Sequence, residues 1–198
     1  MKTLILRHRR ENLRKCSLRG LETHPDLAFY TYPTHILPDL TGYLLLEVGA
    51  PPLTEADQGY GLLLIDATWK LAEPMRKSIA YSARSSLVNS GGPQSGSDSR
   101  NDSSKMGCSD GPPNSPNLTA RHIQPILARS LPPGFKTAYP RKQTGCPDPE
   151  SGLASVEALY LAHKILNRAT EGLLDHYYWE EKFLAINALR PEASAETN

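Results

Sequence analysis

Residues 61–69 read GLLLIDATW, and this stretch decides the predicted fold. The apolar run 62–65 follows Gly59 and Gly61 and has no polar face, which is typical of a strand in a sheet covered on both sides. In open α/β sheets, ligands bind outside the carboxyl ends of such strands. Asp66 and Trp69 would arrive there together, as a base and a stacking surface. The alternative is structural: Asp66 caps the next helix and Trp69 fills the core.

Other elements alternate between strands and helices around this stretch, so the predicted fold class is α/β. Residues 54–57 read TEAD, a capping-box pattern that predicts a short helix. Strands are predicted at 3–7, 27–32 and 43–48, and longer helices at 70–82, 153–168 and 173–187, the last with Thr170 as its N-cap.

Charge is distributed unevenly along the 198 residues. The net charge is only +1, which does not by itself indicate a nucleic-acid-binding protein. Residues 1–19 nevertheless carry seven basic side chains and one acidic one, so this arm is +6 and the rest of the chain is −5. Arg14, Lys15 and Arg19 could contact phosphates, and a solvated surface loop is the alternative.

Residues 85–117 differ in composition from the rest of the chain. Of these 33 residues, 26 are Ser, Gly, Pro, Asn or Asp. Such a segment buries too little apolar surface to offset its ordering entropy, so a disordered insertion between core elements is expected. A regulatory or binding loop is the alternative.

The cysteine content indicates a protein of a reducing compartment, and a cytoplasmic location is expected. The hydropathy bears on membrane contact. Three scattered cysteines do not suggest a disulfide scaffold, and without a CxxC pair no metal site is expected. No apolar run approaches the roughly 18 residues of a membrane helix, so no membrane contact is expected.

Three other features have competing interpretations. The loop 136–145 mixes cations with Tyr139, which suits RNA contact or an ordinary polar loop. His163 lies on an apolar helical stripe and is expected to be a core histidine with satisfied hydrogen bonds. Residues 175–179, DHYYW, favour an aromatic helix face in the core over a ligand site. The P-loop and GxGxxG patterns are missing from the sequence, so a classical dinucleotide site is not supported. GCSDG at 107–111 matches GxSxG, but it lies within the polar segment 85–117 and not between a predicted strand and helix, so a hydrolase elbow is not supported.

Six short blocks, in order, resemble motifs of the ribosomal RNA aminocarboxypropyltransferases. Each block is weak alone, but their shared order covers most of the chain outside 85–117 and the tail. The blocks are RKCSLRGL at 14–21, LTEAD at 53–57, IDATW at 65–69, RSLPP at 129–133, LASVEA at 153–158 and WEEKFLAIN at 179–187.

This resemblance implies both a fold and a reaction. The family is similar to SPOUT-class RNA methyltransferases, in which S-adenosylmethionine binds around a C-terminal knot. Its members transfer the 3-amino-3-carboxypropyl group of S-adenosylmethionine to a modified uridine of small-subunit ribosomal RNA. The related DTW-domain family modifies transfer RNA, and DATW at 66–69 also resembles its D-x-T-W signature.

The resemblance also implies site residues. Asp66 is the candidate proton acceptor, because a ring nitrogen of the target base must lose a proton; it could equally orient the cofactor or cap a helix. The resemblance implies Arg14, Lys15 and Arg19 as RNA-binding residues, and the cationic loop adds Arg141 and Lys142 as further candidates. The implied cofactor-binding residues are Ser17, Leu53, Ile65, Trp69, Leu131, Ser151 and Ser155.

The implied organisation is a SPOUT-like knotted α/β domain with a small N-terminal α/β lobe. A basic RNA-facing lobe at 1–50 precedes the cofactor domain at 51–189, which 85–117 interrupts, and a tail follows at 190–198. A monomer is expected. Methyl transfer, modification of transfer RNA and a non-catalytic assembly factor remain alternatives.

The sequence departs from the family at several positions. The family's N-P-x-N-Y-G is here YPRKQTG at 139–145, and its acidic Cys-Asp-Pro lead-in is replaced by RHRR at 7–10. Leu18 and Glu180 stand where the family has Gly. These differences indicate a divergent branch whose RNA target could differ.

Overall fold

A computed structural model describes residues 1–85, 126–140 and 152–189 of the chain. In this part of the chain, five strands form one parallel sheet in the order β2-β1-β4-β3-β5. The strands are β1 (Thr3–His8), β2 (Leu27–Tyr32), β3 (Tyr43–Leu46), β4 (Gly61–Asp66) and β5 (Leu127–Arg129). The helices are α1 (Trp69–Ser85), α2 (Ser155–Ile165) and α3 (Glu180–Ile186), with a 3-10 turn at Glu55–Asp57.

The sheet is covered on both faces, as the apolar runs predict. On one face, β1 and β4 pack against α2 and α3, and Leu159 and Phe183 are fully buried there. On the other face, Met75 and Ile79 of α1 pack against the alternate side chains of β1, β3 and β4. Because all pairings are parallel, the carboxyl ends of the strands lie at one edge of the sheet. Arg7 and Asp66 are register partners at that edge.

The α/β class and the predicted strands are confirmed, with β3 ending at Leu46 instead of residue 48. The structure adds β5, a three-residue strand that the sequence pattern is too short to reveal. At 54–57 only a single 3-10 turn forms, with Thr54 and Asp57 in the expected capping box.

The predicted helix 173–187 is wrong in its first half. Helix α3 begins only at Glu180, and Thr170 does not cap a helix. Leu173, Leu174 and Tyr177 are buried as expected, but they lie on a series of turns. Gly172 has a φ of 75°, a left-handed conformation that breaks helical continuation at this point. The buried residues whose spacing predicts a helix therefore lie on consecutive turns instead.

The division of the chain at residue 50 stays a prediction. Strands from both sides of that boundary pair with one another, since β1 lies between β2 and β4. The tail 190–198 and nearly all of the 85–117 insertion lie outside the described residues, although α1 extends to Ser85.

Candidate functional site

A cleft of about 860 Å³ opens at the carboxyl ends of β3 and β4. Its walls are residues 45–49, 64–69, 130–135 and 152–155, together with 15–17 of the basic arm. The position agrees with the rule for ligands in open α/β sheets. The volume lies within the range of about 300–1,000 Å³ that small-molecule sites occupy.

A buried ion pair stands at the base of the cleft. Arg7 Nε donates to Asp66 Oδ2 at 2.8 Å, and both side chains are almost fully buried. The Arg7 guanidinium also donates to Glu22 Oε1 at 2.8 Å and lies 4.7 Å from the centre of the Phe29 ring. The ion pair therefore joins neighbouring strands at the edge where the cleft opens.

Asp66 accepts hydrogen bonds from three separate segments. Oδ2 accepts from Arg7 and from the Cys16 thiol at 3.2 Å, while Oδ1 accepts from Ser155 Oγ at 3.0 Å. Burial and the nearby Asp66 charge raise the pKa of Cys16 to about 12, so the thiol stays protonated and donates. Asp66 thus joins β1, the basic arm and the first turn of α2; these contacts are not with the start of α1, as a helix cap would require.

The start of α2 forms another wall of the cleft. Ser17 Oγ accepts a hydrogen bond from the Val156 backbone N–H at 3.2 Å. A residue 139 positions away therefore satisfies one of the free amides at the start of this helix. Ser17 and Ser155 place two hydroxyls where the partial positive charge of the helix end faces the cleft.

Of the predicted cofactor residues that the structure describes, all but Leu53 are brought together at the cleft. Leu53 is 1% exposed in the core, and its backbone N–H donates to Ser130 O at 2.7 Å. It therefore supports the wall at 130–135 from behind and does not reach the cleft. Ser151 lies outside the described residues. The cleft is lined by Ser17, Ile65, Asp66, Trp69, Leu131 and Ser155.

Trp69 does not fill the core, which was the structural alternative for this residue. Its side chain lies at the cleft, and the residue is 36% exposed. The indole is therefore available to stack on a planar ligand.

The predicted RNA-binding residues divide between the cleft and the surface. Lys15 lines the cleft, and Arg14 and Arg19 are exposed elsewhere on the basic arm. Arg141 and Lys142 lie outside the described residues.

Glu157 fixes the loop 136–139, which borders the cleft at Tyr139, by hydrogen bonds. Its fully buried carboxylate accepts from the Ala138 N–H at 2.8 Å and from Thr137 Oγ1 and Tyr177 Oη at 2.7 Å. Because Glu157 fixes this loop, Tyr139 lies against the basic arm, and its hydroxyl donates to Lys15 O at 3.2 Å. The loop is thereby fixed against the basic arm.

The segment 175–179 is not the buried aromatic helix face that the sequence favours. Tyr177 is buried, but Tyr178 is 88% exposed and lies on a turn. Trp179 is half-buried and packs edge-on against Tyr139, with ring centres 4.9 Å apart.

Two functional candidates were missed by the sequence-based reasoning, Arg7 and Glu11. Glu11 lines the cleft, and its Oε2 is buried without a hydrogen-bond partner. Burial raises the pKa of Glu11, and the charge of Asp66 adds to this effect. The signal for Glu11 lay in the arm itself, since it is the one acidic residue among positions 1–19.

The described residues include neither a metal-binding cluster nor a membrane-spanning helix. Within 1–85, 126–140 and 152–189, no three His, Cys, Asp or Glu side chains form a group able to hold a metal ion. Of the helices in these ranges, none has the length and apolar character needed to cross a membrane.

Comparison with known proteins gave one informative match. No protein-family model matches the chain, and no curated protein matches it significantly. Among solved structures it is similar to the SAM-dependent rRNA:acp-transferase Tsr3 from Vulcanisaeta distributa, with a TM-score of 0.54 and 19% identity. The match covers 94% of this chain and 78% of that one. At this identity, the likeness establishes that the two chains share a fold.

Proposed function

We propose that this protein transfers the 3-amino-3-carboxypropyl group of S-adenosylmethionine to a uridine or pseudouridine of small-subunit ribosomal RNA. The observation that carries the proposal is the convergence of four family-like blocks on one cleft. Residues 15–17, 65–69, 130–133 and 153–155 are far apart in sequence, yet all four contribute to its walls. The shared fold with an enzyme described as a SAM-dependent rRNA:acp-transferase supports the same conclusion.

The cleft has the chemistry that S-adenosylmethionine requires. Ile65 and Leu131 offer an apolar surface for the adenine, and Trp69 offers a stacking face. Ser17 and Ser155 stand at the start of α2, where hydroxyls and the helix dipole favour the carboxylate of the amino-acid part. Ser151 belongs to the same proposal from the sequence resemblance.

The main contribution of the protein's own residues is to orient S-adenosylmethionine relative to the target base. Bound S-adenosylmethionine supplies three electrophilic carbons around one sulfonium, and the carbon that faces the nucleophile is the one that reacts. The walls at 65–69 and 130–135 would fix the adenine end, and the start of α2 would fix the amino-acid end. Asp66 is the sequence-based candidate for accepting the proton of the base, but its three hydrogen-bond donors favour a role in positioning Ser155 and the arm.

RNA would approach along the basic arm. Arg14, Lys15 and Arg19 are exposed on the arm that contributes Lys15 to the cleft, and clustered cations release counterions from phosphates. Arg141 and Lys142 belong to the proposed interface from sequence alone. A SPOUT-like knotted arrangement of 51–189, a monomeric state and a cytoplasmic location complete the proposal.

The experiment is product analysis by nucleoside mass spectrometry. The protein is incubated with S-adenosylmethionine and small-subunit RNA transcripts containing uridine or pseudouridine, with transfer RNA in parallel. The expected products are an aminocarboxypropyl nucleoside in the ribosomal RNA and methylthioadenosine. A methyl increment with S-adenosylhomocysteine would instead establish a methyltransferase, and cofactor binding without any product would indicate an assembly factor.

A further inference from the structure

Four carboxylates of the described residues line the cleft. Glu47 and Glu73 pair with Arg76, and the surroundings of the other two, Glu11 and Asp66, differ sharply. The Asp66 carboxylate is paired with Arg7 and accepts from Cys16 and Ser155, so both of its oxygens are already engaged in hydrogen bonds. Proton transfer to Asp66 would disrupt a buried ion pair, which is costly. The contacts of this carboxylate therefore suit a positioning role.

Glu11 lines the same cleft, but fewer groups contact its carboxylate than contact that of Asp66. It follows the carboxyl end of β1, where its N–H donates to His8 O at 2.8 Å. Its Oε2 is buried with no hydrogen-bond partner, and no cation of the described ranges comes within ion-pair distance of its carboxylate. A buried polar atom without a partner requires an explanation, and a catalytic role is one that such atoms are known to serve.

The charged groups around Glu11 act in opposite directions. Burial and the Asp66 charge raise the pKa of Glu11, while the backbone amides of Asn12 and Thr68 and the Arg7 charge oppose that rise. The net direction is upward, which makes the carboxylate more basic than an ordinary glutamate. When two neighbouring carboxylates have such different environments, their acid–base roles can be assigned from the difference.

From this contrast we propose that Glu11 accepts the proton that the target base loses, and that Asp66 is a positioning residue. The inference rests on the proposed function. In the step, the ring N–H gives its proton to the Glu11 carboxylate, which becomes a neutral carboxylic acid. The nitrogen forms a bond to the carbon of the transferred group as the carbon–sulfur bond breaks, and sulfur keeps that electron pair as a neutral thioether. Glu11 then returns its proton to water.

The test compares Glu11→Gln with wild type in single turnovers at saturating S-adenosylmethionine, across pH. Glutamine keeps the shape but cannot take the proton, so the rate at neutral pH should fall about 10²–10⁴-fold, the usual contribution of a general base. Cofactor affinity should stay within about twofold, because the change acts on proton transfer and not on ground-state binding. Glu55→Gln, an exposed glutamate in the 3-10 turn, is the charge-matched control and should react like wild type.

The pH profile separates a base from a structural residue. The wild-type rate should fall as the pH drops through the raised pKa of Glu11, and the variant should lack this decline. The defect should shrink at alkaline pH, where the ring N–H ionises without help. Glu11→Asp, which keeps the carboxylate but shortens it, should recover part of the rate.

Several results would overturn the assignment. One is near-wild-type turnover of Glu11→Gln at neutral pH. Another is a pH-independent loss together with weakened cofactor binding, which would make Glu11 a counter-charge for the bound cation. If the wild type methylates RNA, the proposed function fails, but the same variant still decides the role of Glu11 in proton removal. A wild type without any nucleoside product overturns both proposals.

Discussion

The two edges of the sheet bury polar groups in different ways. At the amino edge, His163 is 2% exposed, and its Nδ1–H donates to Ala169 O at 2.9 Å. Its Nε2 must then accept from Thr3 Oγ1, also at 2.9 Å. Arg168 adds bonds to the Tyr60 carbonyl and to Thr3. Both ring nitrogens are satisfied, so the expectation of a core histidine with satisfied hydrogen bonds is confirmed.

At the carboxyl edge, the pairing is incomplete. Arg7, Asp66 and Cys16 are as well bonded as the amino-edge residues, but Glu11 beside them has an oxygen without a partner, and a large cleft opens in front. In the described part of the sheet, the buried His163 at the amino edge has both ring nitrogens hydrogen-bonded, whereas Glu11 Oε2 at the carboxyl edge has no partner. This difference, more than burial or charge alone, indicates which edge carries the chemistry.

The largest effect should come from breaking the buried ion pair. Asp66→Ala removes the buried carboxylate from the Arg7 guanidinium, and the remaining carboxylate partner in the described residues is Glu22, whose side chain is 43% exposed. The free energy of unfolding should fall by about 3–5 kcal/mol, as when one partner of a buried pair is removed. Glu22→Ala, which removes the exposed partner, should cost at most about 1 kcal/mol in the same urea titration. Equal losses would show that the two contacts of Arg7 are equivalent.

The next effect concerns the open side of the cleft. Leu131→Arg places an unpaired charge on a half-buried apolar wall, so S-adenosylmethionine affinity should fall at least about 100-fold, or roughly 2.7 kcal/mol. Calorimetry on the folded variant measures this. Ile36→Arg, at a residue 91% exposed, is the matched control and should bind normally. Normal binding by Leu131→Arg would remove this wall from the site.

The third prediction compares how cations of the basic arm and a cation at the amino edge affect the salt dependence of RNA binding. Neutralising Arg14, Lys15 and Arg19 should lower the slope of log K against log salt by about 2 units, since each single-stranded phosphate contact contributes roughly 0.7. Cofactor affinity should not change. Lys2→Gln removes an exposed cation at the amino edge and should leave the slope intact. Equal slopes for wild type and the triple variant would direct attention to the loop 136–142.

The smallest effect should appear at the amino edge, as a loss of pH dependence. Burial lowers the pKa of His163 below its ordinary 6.5, so the folded protein keeps the ring neutral where the unfolded chain binds a proton. Stability is therefore complete above pH 6.5 and declines as the pH falls through the lowered pKa. His163→Gln can make both hydrogen bonds without titrating, so its unfolding should be less acid-sensitive and its cofactor binding normal. An unchanged acid response would show that His163 does not titrate on unfolding.

The strands were predictable because their signals are local. The run 62–65 has no polar face, and the glycines and prolines near it mark where such segments end. Pairings across the sequence have no local signal: Arg7 and Asp66 are 59 positions apart, and Ser17 and Val156 are 139 apart. Leu53 illustrates the limit of motif matching, since its block lies near the site while its side chain points into the core. Which carboxylate oxygen is buried without a hydrogen-bond partner depends on the folded arrangement as a whole.

The central claim is that S-adenosylmethionine binds at the carboxyl edge of this sheet. The most direct test is a crystal structure of the protein with S-adenosylhomocysteine. We predict the adenine between Ile65, Trp69 and Leu131, and the amino-acid end beside Ser17 and Ser155 at the start of α2. Ligand bound at the amino edge near His163, or a cleft that stays empty at saturating ligand while the fold is intact, would contradict the account.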